Sequence, residues 1–444
     1  MSKSRNIRIA LLIAAALASS GCSLFKKGER PKTPVLGQRI AVLTSENDAQ
    51  IDPATQALPF SLPAASDNAA WAESGGNASN SMGHVALGKA IQPAFNIQAG
   101  RGSSLTARLA TPPIVANGRV YTIDTLGAVR SFDARTGGML WASQTPNIKG
   151  NEAALYGGGI AYDNGRIFAS NGLGYVSALS DQTGGILWQV RPGGPLRGAP
   201  TVTNNAVYVI SQDNQIYSLK EDDGSTNWSQ AASLEIAGIF GAAAPAVGQG
   251  TVVAGFSSGE LNAYRYENGR EVWQDQLQRT SIRTSVSSLS DIDADPVIDN
   301  GQVFAIGAGG RMVALDILSG QRMWELNIAG ISTPWVAGDW VFVVTQDAKL
   351  LCVYRQNGHV RWINQLPQFE KPKSSRGDIE YYGPVLAGNR LILTASNGMV
   401  VQLDPATGNY LTQFDLGTRI NLPPVVANST LYIYDDQARL HAYR

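Results

Sequence analysis

Cysteine and histidine are nearly missing from this 444-residue chain, and charge is sparse. Two cysteines, Cys22 and Cys352, permit at most one disulfide, which excludes a fold stapled by cross-links. The three histidines, His84, His359 and His441, are widely scattered. Charged residues make up only 16% of the chain, with 35 basic side chains balanced by 35 acidic ones. That balance excludes a polybasic nucleic-acid binder. Long apolar runs are missing too. The ten residues Ile9 to Ala18 are too few to span ~30 Å of hydrocarbon as a helix. No segment between residues 112 and 444 keeps a 3.6-residue apolar period for three turns, which excludes a helical solenoid. What is abundant is glycine, 47 residues placed at turns, and apolar residues at 44%, enough for a large core.

The first residues form a separate object. Lys3, Arg5 and Arg8 precede the apolar run, and "SSGC" closes it at Cys22. This reads as a secretory signal. A cysteine directly after Gly21 resembles a bacterial lipoprotein signal, in which that cysteine is lipidated and becomes the mature N-terminus, although Ser19 stands where Leu is usual. The other reading is an ordinary signal peptide with a stray cysteine. With Cys22 lipidated, Cys352 in "KLLCVY" has no partner for a disulfide and reads as a buried small hydrophobe. Residues 22–69, rich in Pro, Ala and charge, read as a largely disordered tether after a signal peptide of residues 1–21. Trp71 is expected to dock on the folded domain, which spans residues 70–444.

That domain is a repeat. "TGGMLW" at Thr136 returns as "TGGILW" at Thr183, "DGSTNW" at Asp223, "NGREVW" at Asn268, "SGQRMW" at Ser319 and "NGHVRW" at Asn357. Each turn follows a short apolar strand such as "GAVRSF" or "GRMVAL", and a β-hairpin signal such as "PIVANGRVYTI" lies upstream. Eight such units begin near residues 113, 159, 200, 245, 296, 334, 384 and 424. The spacing, roughly 44 residues, fits four short strands and matches one propeller blade. The expected fold is therefore all-β: an eight-bladed β-propeller of four-stranded antiparallel blades. Each tryptophan is expected between neighbouring blades, with its glycine supplying the positive φ of the turn. The eighth unit stops at "LHAYR" before any such turn, whereas "QPAFNIQAG" at 92 to 100 reads like the missing strand with Phe95 in the Trp position. This N-terminal strand is expected to complete the last blade and close the ring. The seventh unit departs from the pattern, with Thr412 where Trp belongs.

Units such as "MVALDILSGQRMW" at 312 to 324 resemble the repeats of quinoprotein dehydrogenases and of the BamB-type lipoproteins of the outer-membrane β-barrel assembly (BAM) complex. The quinone (PQQ)-dependent periplasmic dehydrogenases typically carry adjacent cysteines and long cavity-building loops, and this chain has neither. "SSLSDIDADPVI" at 287 to 298 is similar to the segment preceding a blade in the BamB family. The resemblance implies a non-catalytic scaffold with no cofactor and no metal. It is held to the periplasmic side of the outer membrane by lipid on Cys22 and binds BamA with other BAM subunits. Unfolded outer-membrane proteins are further candidate partners. By the same resemblance, partner contacts fall on Asp291 and Asp293, and on Leu234 and Ile236 of "SLEIAGIFGAAAP". The two carboxylates equally suit turn positions that cap backbone amides, and the two apolar residues equally suit ordinary strand positions. Ala237 stands where the family has Arg, so a guanidinium contact is lost or supplied elsewhere, for which Arg283 is the candidate.

Overall fold

The computed structural model describes residues 49–147, 155–234, 243–278 and 290–444. Eight four-stranded antiparallel sheets follow one another along the chain. Blades 1 to 7 run in sequence order over residues 114–144, 160–190, 201–231, 246–276, 297–326, 335–365 and 381–415. Blade 8 takes three strands from residues 425–443, and Pro93–Gln98 pairs with Arg439–Tyr443 as its fourth. The ring is closed by the N-terminal strand.

Local chemistry sets each blade. The innermost hairpin turns on two left-handed residues, Asn117 and Gly118 in blade 1 and Asn300 and Gly301 in blade 5. Such turns carry the twist that the flanking strands need. The outermost strand begins at a bulge, seen between Ser131 and Phe132 opposite Met139 and Trp141, and repeated in blades 2 to 7. A meander of four strands puts these two turns on one face of the disc, here the turn face. The remaining hairpin and the connections between blades fall on the opposite loop face.

The repeated tryptophan joins blades by two contacts. Its ring lies on the turn glycine of the next blade: a Cβ added to Gly184 would sit 2.5 Å from Trp141, and one added to Gly320 2.5 Å from Trp273. Only glycine leaves that space, and its positive φ makes the turn. The indole N–H then donates to the carbonyl three residues before the same glycine. Trp141 reaches Asp181, Trp188 Glu221, Trp228 Tyr266, Trp273 Ile317, Trp324 Arg355 and Trp362 Pro405, at 2.7 to 3.1 Å. Trp228 is further held between Tyr208 of its own blade and Tyr264 of the next, both with ring centroids 6.0 Å away.

The two exceptional junctions flank blade 8. Between blades 8 and 1, Phe95 packs on Gly137 as the tryptophans pack on theirs. Phe95 has no N–H, and the waiting carbonyl, Ala134 O, accepts instead from Arg444 Nη2 at 2.6 Å and from the Tyr432 hydroxyl at 3.3 Å. Between blades 7 and 8 the receiving turn does not exist, because the fourth strand of blade 8 arrives from the other end of the chain. Gln92 and Arg444 pair through their backbones there instead. Thr412 needs no indole, and Phe414 packs against Tyr443 in a tilted pair with centroids 5.2 Å apart.

Residues 49–91 are docked rather than free, which corrects the expected tether for residues 49–69. Asp52 caps a short helix, Pro53–Gln56, and its backbone N–H donates to Val360 O on the edge of blade 6. Phe60 stacks on Trp340 at 5.3 Å. Residues 66–85 then circle the channel on the turn face. Asn68 bonds blade 8, Trp71 pairs with Val115 of blade 1, and Ala72 accepts from Tyr162 of blade 2. The Glu73 carboxylate accepts from Val202 of blade 3, while Ala78 and Ser79 accept from Val247 and Ile298 of blades 4 and 5. Gly83 accepts from the Trp335 indole of blade 6, and Val85 pairs with blade 7. The Pro- and Ala-rich composition hid this belt, because backbone pairing to existing strands leaves no side-chain period to read.

Arg444→Met should expose the Ala134 carbonyl to a buried environment without its charged donor and cost about 1–3 kcal/mol. Phe95→Trp in that background should recover part of the loss, since an indole N–H then stands where it stands at the other junctions. A double-mutant cycle by chemical denaturation measures this, and additive effects would show that the two residues do not share one carbonyl.

Candidate functional site

Because the belt closes the turn face, the channel is left as a cavity of about 350 Å³ toward the loop face. Its floor is the belt, with Trp71, Ser74, Gly75 and Asn80, and its walls are the residues just before each innermost strand. Charge and hydrogen-bonding groups gather there: Arg108 and Tyr156 from the connections into blades 1 and 2, Arg197 before blade 3, Asp293 and Asp295 before blade 5, and Glu380 with Tyr382 at blade 7. Tyr382 donates to Glu380 at 2.6 Å.

The acidic segment before blade 5 is built differently from an exposed loop. Ile292 and Ala294 are buried, and Ile292 enters the core shared by blades 4 and 5. Asp291 is buried in this segment, whereas Asp293 lines the channel and is half-buried. The expectation that both carboxylates project from a face is therefore corrected, and "DIDAD" carried the signal in its alternating apolar residues. Burial pushes the Asp293 carboxyl up to about 7, with Asp291 adding to the rise and Arg197 opposing it. Asp295 is raised to about 6 by burial, against the pull of the Ala244 N–H donating to it at 2.6 Å. The amide-capping role that suited the first two carboxylates thus falls to this third one. Beneath them, burial holds the Glu73 carboxyl well above its ordinary value.

Leu234 stands on the same loop face and is 75% exposed. Its place is fixed by Ser233, whose N–H and hydroxyl both donate to the Glu260 carboxylate of blade 4, at 2.8 and 2.6 Å. Ile236, Ala237, Arg283 and Cys22 lie outside the described residues. Arg108, Tyr156, Arg197, Glu380 and Tyr382 were not singled out from sequence. Aligning the eight connections at the residues before each innermost strand would have found them. Cys352 is buried in blade 6, and burial drives its thiol far above the usual range.

A family model described as outer membrane protein assembly factor BamB matches residues 125–364, more than half of the chain. The chain belongs to the BamB family. A BamB from Moranella endobia is 25% identical over 334 residues, covering 74% of this chain and 84% of that one. Among solved structures, BamB from Moraxella catarrhalis superposes with a TM-score of 0.66 at 17% identity, covering 80% of this chain and all of that one. A quinohemoprotein alcohol dehydrogenase from Comamonas testosteroni gives 0.65 at 13% identity, covering 88% and 83%. At such identities the two superpositions speak for the fold alone. The residues present do not suit a metal-assisted quinone: among the described residues no three His, Cys, Asp or Glu side chains converge as donors, and the belt fills the channel's turn-face end.

The raised carboxyls give a pH signature. Asp293 and Asp295 hold protons in the folded chain that an unfolded chain releases near its ordinary value of 3.8. Their contribution to stability is therefore full below about pH 4 and is lost as pH rises through about 6 to 7. Asp293→Asn should leave the melting temperature near wild type at about pH 4.5 and raise it at about pH 8. Melting curves of the two proteins that stay parallel across this range would contradict a buried, protonated Asp293.

Proposed function

We propose that this protein is a non-catalytic scaffold in outer-membrane protein assembly, tethered to the periplasmic side of the outer membrane by lipid on Cys22. The observation that carries this reading is the BamB family match across blades 1 to 6. The relatives are named as outer membrane protein assembly factors. The partner is BamA together with other subunits of the assembly complex. Contact is made on the loop face around blades 3 to 5, by exposed Leu234, by Ile236, and by Asp293 at the channel wall. Asp291 lies too deep to touch a partner and acts by tuning the charge of Asp293. A ring pinned at every junction holds Leu234 and Asp293 on a fixed frame, so little ordering entropy opposes binding there.

Leu234→Ser combined with Asp293→Lys should lower recovery of a large β-barrel partner from solubilised membranes by about tenfold or more. The melt of Leu234→Ser alone should move little, since Leu234 is exposed. Full recovery with a normal melt would place the contact elsewhere, and alcohol oxidation on adding quinone and Ca²⁺ would overturn the non-catalytic reading. Cys22→Ala should move the mature protein from the detergent phase to the aqueous phase.

A further inference from the structure

The outermost strand of each blade is an edge at the rim, and proteins normally blunt such edges with charge, proline or a cover. Here the protection is uneven. Blades 4 and 5 carry Glu271, Asp275, Arg322 and Glu325 on their edges, with Arg322 bridged to Asp275 at 2.5 Å and to Glu325 at 2.6 Å. Blade 6 is covered, its Arg361 bonded to the carbonyls of Thr55 and Leu58 in the N-terminal segment. Blade 3 has a polar, uncharged edge, "TNWSQA".

The other four edges are consecutive round the ring. Blade 7 reads "YLTQFD", blade 8 "PAFNIQ", blade 1 "MLWASQ" and blade 2 "ILWQV", with Asp415 as the one charge, at the end of its strand. Tyr410, Leu411, Met139, Leu140, Ile186 and Leu187 are 42% to 64% exposed, two side by side on each of three blades. An apolar arc of this kind on a soluble protein marks an interaction surface.

We propose that the edges of blades 7, 8, 1 and 2 form a docking arc for an extended polypeptide strand whose apolar side chains alternate with polar ones. Two features of this chain argue for that occupant over a folded domain. The molecule already adds strands to its own edges: Pro93–Gln98 joins blade 8 from a distant part of the sequence, and Ile51 bridges Val360 on the edge of blade 6 while Asp52 N–H donates to Val360 O at 2.9 Å. The apolar pairs also sit beside open backbone donors and acceptors, which an extended chain can satisfy and a helix cannot. This inference rests on the assembly reading: strands destined for an outer membrane alternate lipid-facing apolar residues with polar ones.

The test uses the full-length protein and a fluorescein-labelled ten-residue peptide alternating Val, Tyr or Phe with Ser or Thr. Its comparators are a peptide of the same composition with the apolar residues gathered in one half, and one N-methylated at alternate peptide bonds. The alternating peptide should bind, and both comparators should bind at least tenfold more weakly. Leu140→Lys, Leu187→Lys and Leu411→Lys together should weaken binding about tenfold with an unchanged melt, and Thr226→Lys on blade 3 should do nothing. Equal binding of the N-methylated peptide, or indifference to the three lysines, would overturn strand docking. So would a wild-type protein that ignores the peptide and instead binds phosphatidylcholine vesicles through these three leucines. Recovery of the β-barrel partner, measured in parallel, separates the two readings. If wild type recovers the partner but binds no peptide, strand docking fails and the assembly reading stands; if it binds peptide but recovers no partner, the assembly reading is the one that fails.

Discussion

An indole seated on the glycine of the neighbouring turn is the contact on which the ring depends. One such ring removes about 150–250 Å² from water, worth roughly 4–6 kcal/mol at 25 cal/mol per Å². Its N–H would cancel part of that gain if it were buried without a partner. The receiving turn removes the difficulty by offering a carbonyl three residues before the glycine. A single turn therefore supplies the space, the backbone conformation and the acceptor. Two residue types at fixed spacing specify a whole interface, and the interface recurs wherever they do.

A ring built by sequential addition has one junction that sequence neighbours cannot make. Here the chain solves it by taking the last strand of blade 8 from the N-terminal side, which costs the seventh-to-eighth junction its glycine turn. The compensation is visible in particular atoms. Thr412 gives up the indole where nothing could receive it, Phe414 and Tyr443 fill the gap, and Arg444 satisfies the carbonyl that Phe95 cannot. The belt of residues 66–85 then bonds the innermost strand of every blade in turn. Opening the ring at any junction means breaking the belt as well.

The propeller was legible because it is periodic. Eight copies of a hairpin signal and six of a Gly-Trp turn outweigh the ambiguity of any single strand, and even the swapped strand could be read from Phe95 standing in a Trp register. The belt was not legible, because it has no period of its own and is defined by the backbone it meets. The site was legible only in part. Leu234, read as a candidate contact, is exposed on the loop face. Asp291 and Asp293 were read as loop carboxylates because Asp is common in turns, yet Ile292 and Ala294 between and after them were already the mark of a packed, alternating segment.

The same geometry decides where binding chemistry can reside. On the turn face the glycine and the carbonyl three residues before it are committed to a junction, and the belt occupies the inner strand ends. A change there would be felt first in stability. Among the described residues the loop face carries no repeated contact of this kind; its connections differ in length and charge from blade to blade and surround a cavity with Arg108, Arg197, Asp293 and Glu380. The outer edges lie between these cases. Their tryptophans are fixed, but the two residues preceding the tryptophan vary from Met-Leu and Ile-Leu to Thr-Asn and Arg-Met. Recognition is thus confined to positions that the closure of the ring leaves uncommitted.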